Sequence, residues 1–191
     1  LALQAMPALP WGFFGHKMIN RNAVFLLPPD MMILYKPYLE FITEHAVDPD
    51  KRRYAVDGEA QRHYIDLDHY YKPGEDPFSV MPKYWKDAVE KFTEDTLRAH
   101  GIVPWNVYLT QQKLTTAFRN EDINRILRLS AEIGHYIGDA HVPLHSTSNY
   151  NGQKTGQRGI HGFWESRIPE LLAETEWDFF IGQAAYINRP S

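Results

Sequence analysis

The chain contains no cysteine. No disulfide can form in it, and no zinc site can be built on thiolates. It also lacks a surplus of positive charge, since 20 lysines and arginines face 24 aspartates and glutamates for a formal net charge of −4. Such a balance provides no global basic field for a nucleic-acid duplex or an anionic membrane, although a local metal cluster still attracts phosphate. No apolar run is long enough to span a bilayer. Repeats and low-complexity tracts are missing, as is the period-two alternation of half-buried strands. What remains is 191 residues, 43% of them hydrophobic, enough for one soluble globular domain with a sizeable core.

The apolar residues that are present recur at helical spacing. This predicts helices over Lys17–Leu27, from Asp30 as a cap to about His45, over Pro82–His100 with Gly101 as a stop, and over Pro104–Arg119. A long helix is expected over Glu121–Val142, with Ile123, Ile126, Leu127, Ile133 and Ile137 as its apolar stripe and Pro143 at its end. Another is expected over His161–Glu174, kinked at Pro169. Asp48–Glu75 and Asn149–Gly159 read as polar loops. The fold class is therefore all-α, a single-domain helical bundle. The first segment, Leu1–Pro10, is small, apolar and uncharged. It reads as the remnant of a secretory signal peptide or as a disordered leader, with residues 11–191 as the domain.

Chemistry concentrates between His135 and Glu165. His135 and Asp139 are four apart, as are His161 and Glu165, and His145 lies between the two pairs. Residues four apart stack on one face of a helix, so each pair can reach one ion. Imidazole with carboxylate suits zinc or a similar borderline ion. His16, His63, Asp48 and Asp50 add upstream ligand candidates for a multinuclear site between facing helices. The bland readings are retained elsewhere. His45, His69 and His100 are surface or core histidines, His141 is structural, Asp68 is solvated, and Asp66 orients a ligand histidine. Trp85, Trp105 and Trp164 serve packing.

The pieces WGFFGH, RHYIDLD, GHYIGDAHVPLH and HGFWES run in order from Trp11 to Ser166. In these the chain resembles the zinc-dependent phospholipase C and single-strand nuclease (S-one/P-one type) superfamily. The resemblance implies an α-helical domain that holds up to three zinc ions and hydrolyses phosphate esters with a metal-bound hydroxide. By position, it assigns Asp50, His63, His135 and Asp139 to one zinc. Asp139 would bridge to a second, held also by His16 and Trp11, while His145, His161 and Glu165 would hold the third. Asp48 lies as near the family's upstream aspartate as Asp50 does; Asp50 is chosen for the arginines that follow it. Asp139 and Asp50 are thus the expected catalytic carboxylates.

Two departures from the family accompany the resemblance. Its tryptophan is the mature N-terminus, whereas ten residues precede Trp11 here, so an amine at Trp11 requires their removal. Its chains also run further at the C-terminus, which implies a truncated chain or a short member. Glu165 resembles the phospholipases, while GDAHVPLH resembles the nucleases, so single-stranded nucleic acid and phospholipid both stand as expected substrates. Tyr150, in the loop between the ligand groups, is expected to touch substrate, and Arg62 or Arg158 to bind phosphate. A secreted or periplasmic location is expected. The alternative is a non-catalytic zinc-binding structural domain of the same fold.

Overall fold

Helices form where the apolar periodicity predicts them and break where proline or a positive φ intervenes. The computed structural model describes residues 12–179, 182–185 and 187. Helix α1 (Phe13–Phe25) precedes α2 (Pro29–Tyr35). Pro29 takes the first helical position, where a missing N–H costs nothing, and Asp30 lies in the first turn instead of capping it. The single helix expected from Asp30 to His45 is divided. A 3₁₀ turn at Lys36–Tyr38 separates α2 from α3 (Leu39–Glu44), because Pro37 removes a donor and its ring obstructs the preceding turn.

A further 3₁₀ turn, His45–Val47, leads into α4 (Asp48–Arg52), so the segment expected as loop opens in a short helix. After α5 (Pro77–Val80), the helix expected over Pro82–His100 also divides. Helices α6 (Trp85–Phe92) and α7 (Glu94–Ala99) meet at Thr93, whose φ is 69° and whose hydroxyl accepts from the Thr96 N–H at 3.4 Å. Two long helices follow, α8 (Val103–Arg119) and α9 (Ile123–Ala140). The chain closes with a 3₁₀ turn at Pro143–Ser146, the short α10 (Ile160–Gly162), a π turn at Phe163–Arg167, and α11 (Ile168–Glu176). Pro169 sits in the first turn of α11, and the irregularity expected there falls in the π turn before it. No strand occurs among the described residues. The class is all-α.

Helix α9 is the centre of the packing. It runs along α8 and also meets α1, α3 and the His45–Val47 turn. Its residues enter two apolar clusters, with Ile126, Leu127, Leu129 and Ala131 packed among Val24, Tyr35 and Ile42, and Tyr136 packed among Ile65, Leu97 and Trp105. The apolar stripe differs from the expected one. Ile123 and Ile137 are 38% and 39% exposed, and the buried face instead continues from Leu127 and Ala131 to His135 and Asp139. Polar groups thus occupy core positions that helical periodicity would give to aliphatic ones.

One glycine sets how closely α1 approaches α9. A Cβ on Gly134 would lie 2.0 Å from Asn20 Oδ1. Asn20 is buried there because its amide donates to the carbonyls of Ala131 at 3.0 Å and Ile42 at 3.4 Å. This contact brings the His16 side of α1 against the His135 side of α9.

Candidate metal centre

The residues of the site come from separate elements. His135 and Asp139 sit one turn apart on α9, fully buried. His16 comes from α1 and stacks on His135 with ring centroids 3.8 Å apart. Asp50 comes from α4, 4% exposed. His63 lies on a segment with no long helix, stitched in place by the backbone. Ile65 N–H donates to His145 O at 2.8 Å, Asp66 N–H to His100 O at 2.7 Å, Ile102 N–H to Gln61 O at 2.7 Å and Val103 N–H to Tyr64 O at 3.1 Å. Gly101 permits this stitching, since its φ is +89° and a Cβ would lie 2.2 Å from Tyr64 O.

The five groups converge. Asp139 Oδ2 lies 2.8 Å from His63 Nδ1 and 3.2 Å from His135 Nε2, while its Oδ1 lies 3.4 Å from His16 Nε2 and 3.7 Å from His145 Nδ1. Asp50 stands 3.7 Å from both His63 Nδ1 and His135 Nε2 and 3.9 Å from His16 Nε2. Beside them, His145 Nε2 and His161 Nε2 face Glu165 at 3.4 and 2.8 Å. Three sets result, namely His16–His135–Asp139, Asp50–His63–His135 and His145–His161–Glu165. Within each, one ligand atom per residue lies within 4.8 Å of the others.

The donor chemistry fits metal ions. Both nitrogens of His16, both oxygens of Asp50, Asp139 Oδ1 and His145 Nε2 are buried without a hydrogen bond. Buried polar atoms rarely go unsatisfied, because each costs its full desolvation. Cations at the foci of the three sets would satisfy those of them that face inward, one nitrogen of each imidazole included. Three of the histidines, moreover, anchor their outward nitrogen on a backbone carbonyl. Nδ1 bonds Ala46 O in His135 (2.8 Å), His63 O in His145 (2.5 Å) and Tyr150 O in His161 (3.0 Å). That leaves Nε2 of each directed into the site, the usual support of a ligating imidazole.

Electrostatics differ among the histidines. Burial lowers the pKa of His16 and His135, favouring the neutral imidazole that binds metals. Burial raises Asp50 to about 6. Asp139 is pushed up by burial but held well below the usual carboxylate range by His135, His16 and His63. Burial opposes charge on His145 and Glu165 too, yet their mutual pairing prevails, so the imidazole is raised and the carboxylate lowered.

Other expected residues fall elsewhere. Asp48 pairs with His45 and Lys51, outside the cluster. Trp11 lies outside the described residues. Arg62 donates to Glu59 at 3.1 Å instead of facing open space, and Arg158 is exposed in the loop. Tyr150 is 51% exposed, with its ring edge-on to His161 at 5.9 Å. Asp66 faces His100 at 3.4 Å and not a histidine of the cluster. Trp105 is buried, whereas Trp164 is 51% exposed, contrary to the packing role expected of it. Asp68 is not merely solvated. It accepts from Ser148 N–H at 2.8 Å, Ser148 Oγ at 2.6 Å and Thr147 Oγ1 at 3.2 Å, pinning the loop whose Tyr150 carbonyl anchors His161.

Of the arginines that follow Asp50, the sequence did not single out Arg53. It is half-buried and its charge acts on both Asp50 and His63. Its spacing three after Asp50 at the end of α4 was the available signal. Comparison of the chain with protein-family models, with curated proteins and with solved structures returned no match.

Proposed function

We propose that this protein is a zinc-dependent hydrolase of phosphate esters, akin to the phospholipase C and single-strand nuclease superfamily that its motifs resemble. The observation that carries the reading is the convergence of buried, unsatisfied imidazole and carboxylate atoms at three adjoining foci. Zinc bound by these residues would lower the pKa of a coordinated water and polarise a phosphoryl oxygen.

The residues divide the work by position. Asp139 turns one oxygen toward His63 and His135 and the other toward His16, so each oxygen would be available to a different ion. Asp50 completes the set around His63 and His135. His145, His161 and Glu165 form the third. The charge of Arg53 acts on Asp50 and His63 and would favour an anionic phosphate over a neutral ester. Tyr150 presents an exposed ring next to His161, in position to contact the group attached to that phosphate.

The test is zinc content together with hydrolysis of single-stranded nucleic acid and of short-chain phosphatidylcholine. Cleavage of either by the zinc-loaded protein, lost on chelation and in Asp139→Ala, is the expected result, and the preferred substrate separates nuclease from phospholipase. Turnover retained by Asp139→Ala would refute the reading. A zinc-loaded protein that cleaves no phosphoester would leave a metal-stabilised structural domain.

A further inference from the structure

His63 is held the opposite way round from its neighbours. His135, His145 and His161 each spend Nδ1 on a backbone carbonyl and turn Nε2 inward. In His63 it is Nδ1 that faces the cluster, 2.8 Å from Asp139 and 3.7 Å from Asp50. Its Nε2 points away, is buried without a hydrogen bond, and lies 3.7 Å from Glu59 Oε1.

Glu59 is fully buried and is not itself directed at the three foci. Its carboxylate is fixed from the far side. Arg52 donates to it through Nε at 2.9 Å and Nη2 at 3.4 Å, Arg62 through Nη1 at 3.1 Å, and the Tyr136 hydroxyl through a short bond. Arg52 also reaches Glu132 at 2.8 Å and Tyr136 at 3.0 Å, both on α9. Two guanidinium groups therefore balance two carboxylates, and Glu59 remains ionised despite its burial. An ionised carboxylate behind an imidazole accepts only from the protonated nitrogen, which decides the tautomer.

We propose that Glu59 is a positioning residue of the metal centre. Its negative charge, 3.7 Å from His63 Nε2, favours the proton on that nitrogen, so that the ring keeps the tautomer that leaves Nδ1 free for a metal ion, and Arg52 and Tyr136 tie that choice to the helix carrying His135 and Asp139. The inference rests on the metal-centre reading above. It singles out one ligand as supported by a charge where His135, His145 and His161 are supported by neutral carbonyls. Support of that kind raises ligand basicity, and its loss typically weakens metal affinity by roughly ten- to a hundredfold.

The test is NMR of the full chain labelled with ¹⁵N at histidine, titrated with zinc in a chelator buffer that sets the free concentration. In the wild type, His63 should bind through Nδ1 with Nε2 protonated, and His161 through Nε2. In Glu59→Gln, the His63 transition should move to roughly ten- to a hundredfold higher free zinc, with the His161 transition unmoved. A general loss of structure would move both. Binding of His63 through Nε2 in the wild type, or an unmoved His63 transition in the variant, overturns the role of Glu59 alone. If Glu59→Gln fails to fold by circular dichroism, the wild-type tautomer decides. If no histidine of the wild type responds to zinc, the metal-centre reading falls and the role of Glu59 with it.

Discussion

Replacing Asp50 with asparagine should stabilise the metal-free protein and cripple the metal-loaded one. Asp50 has a side chain only 1% exposed, and neither oxygen has a hydrogen bond. Burial is the main reason its pKa rises from 3.8 to about 6, with Asp139 adding to the rise and His16, His63 and Arg53 opposing it. The sign is the reverse of an ordinary ion-paired aspartate. Because the folded pKa exceeds the unfolded one, the folded state binds the extra proton, and stability falls as pH rises through the window from about 4 to 6. Above it the cost is fully present, at roughly 3 kcal/mol for a rise of this size. At pH 4.5 most of it is relieved and about 1 kcal/mol remains.

Asp50→Asn removes the charge at nearly constant volume. The metal-free variant should therefore gain up to about 3 kcal/mol at pH 7.5 and about 1 kcal/mol at pH 4.5. For a chain of this length, the larger gain corresponds to a melting temperature higher by roughly 6–12 °C. The assay is urea unfolding of chelator-treated protein at both pH values. Groups that do not face position 50 titrate alike in both proteins and cancel from the difference, which reports Asp50 together with the groups coupled to it. Addition of zinc should reverse the order, since the wild type gains binding energy that the variant has lost. A metal-free variant no more stable than wild type at pH 7.5, or a gain that does not shrink at pH 4.5, would refute the idea of a carboxylate held at an energetic cost for a cation.

Gly134→Ala should destabilise by about 2–4 kcal/mol, through overpacking and the loss of a buried hydrogen bond, because its Cβ would fall 2.0 Å from the clamped Asn20 amide; an unchanged melting temperature would contradict the close helix contact. Asp68→Ala should speed amide exchange at Ser148, and weaken zinc binding at His161 more than at His135, since Asp68 pins the loop that anchors His161. Equal effects on both histidines, read by NMR, would argue against that linkage. Tyr150→Ala should raise KM with little change in kcat or zinc content, because its ring is exposed beside His161 while its carbonyl is retained; an unchanged KM removes it as a substrate contact.

Much of the site was legible because helix geometry is local. A spacing of four stacks His135 on Asp139 whatever else the chain does, and the pair of His161 with Glu165 survives even though a π turn replaces the expected regular helix. The all-α class was legible for the same reason, as apolar periodicity is read within one element. The breaks at Lys36–Tyr38 and Thr93 are different. A continuous apolar pattern does not report where the chain must turn to close a core. The stripe on α9 misled in a related way, since periodicity assumes that the buried face is apolar, and here His135 and Asp139 complete it.

The sequence by itself determined the helical class, the absence of thiolate chemistry and the two imidazole–carboxylate pairs, all properties of composition or of residues within one turn of each other. Tertiary structure decided the rest. It separated Asp50, buried among the histidines, from Asp48, which pairs with His45 and Lys51. It gave Arg62 to Glu59. It linked Arg52 to Glu132 and Asp68 to Ser148 across about eighty residues. Such contacts depend on which helix faces pack together, and side-chain spacing along the chain carries no information about partners that only packing brings within hydrogen-bonding distance.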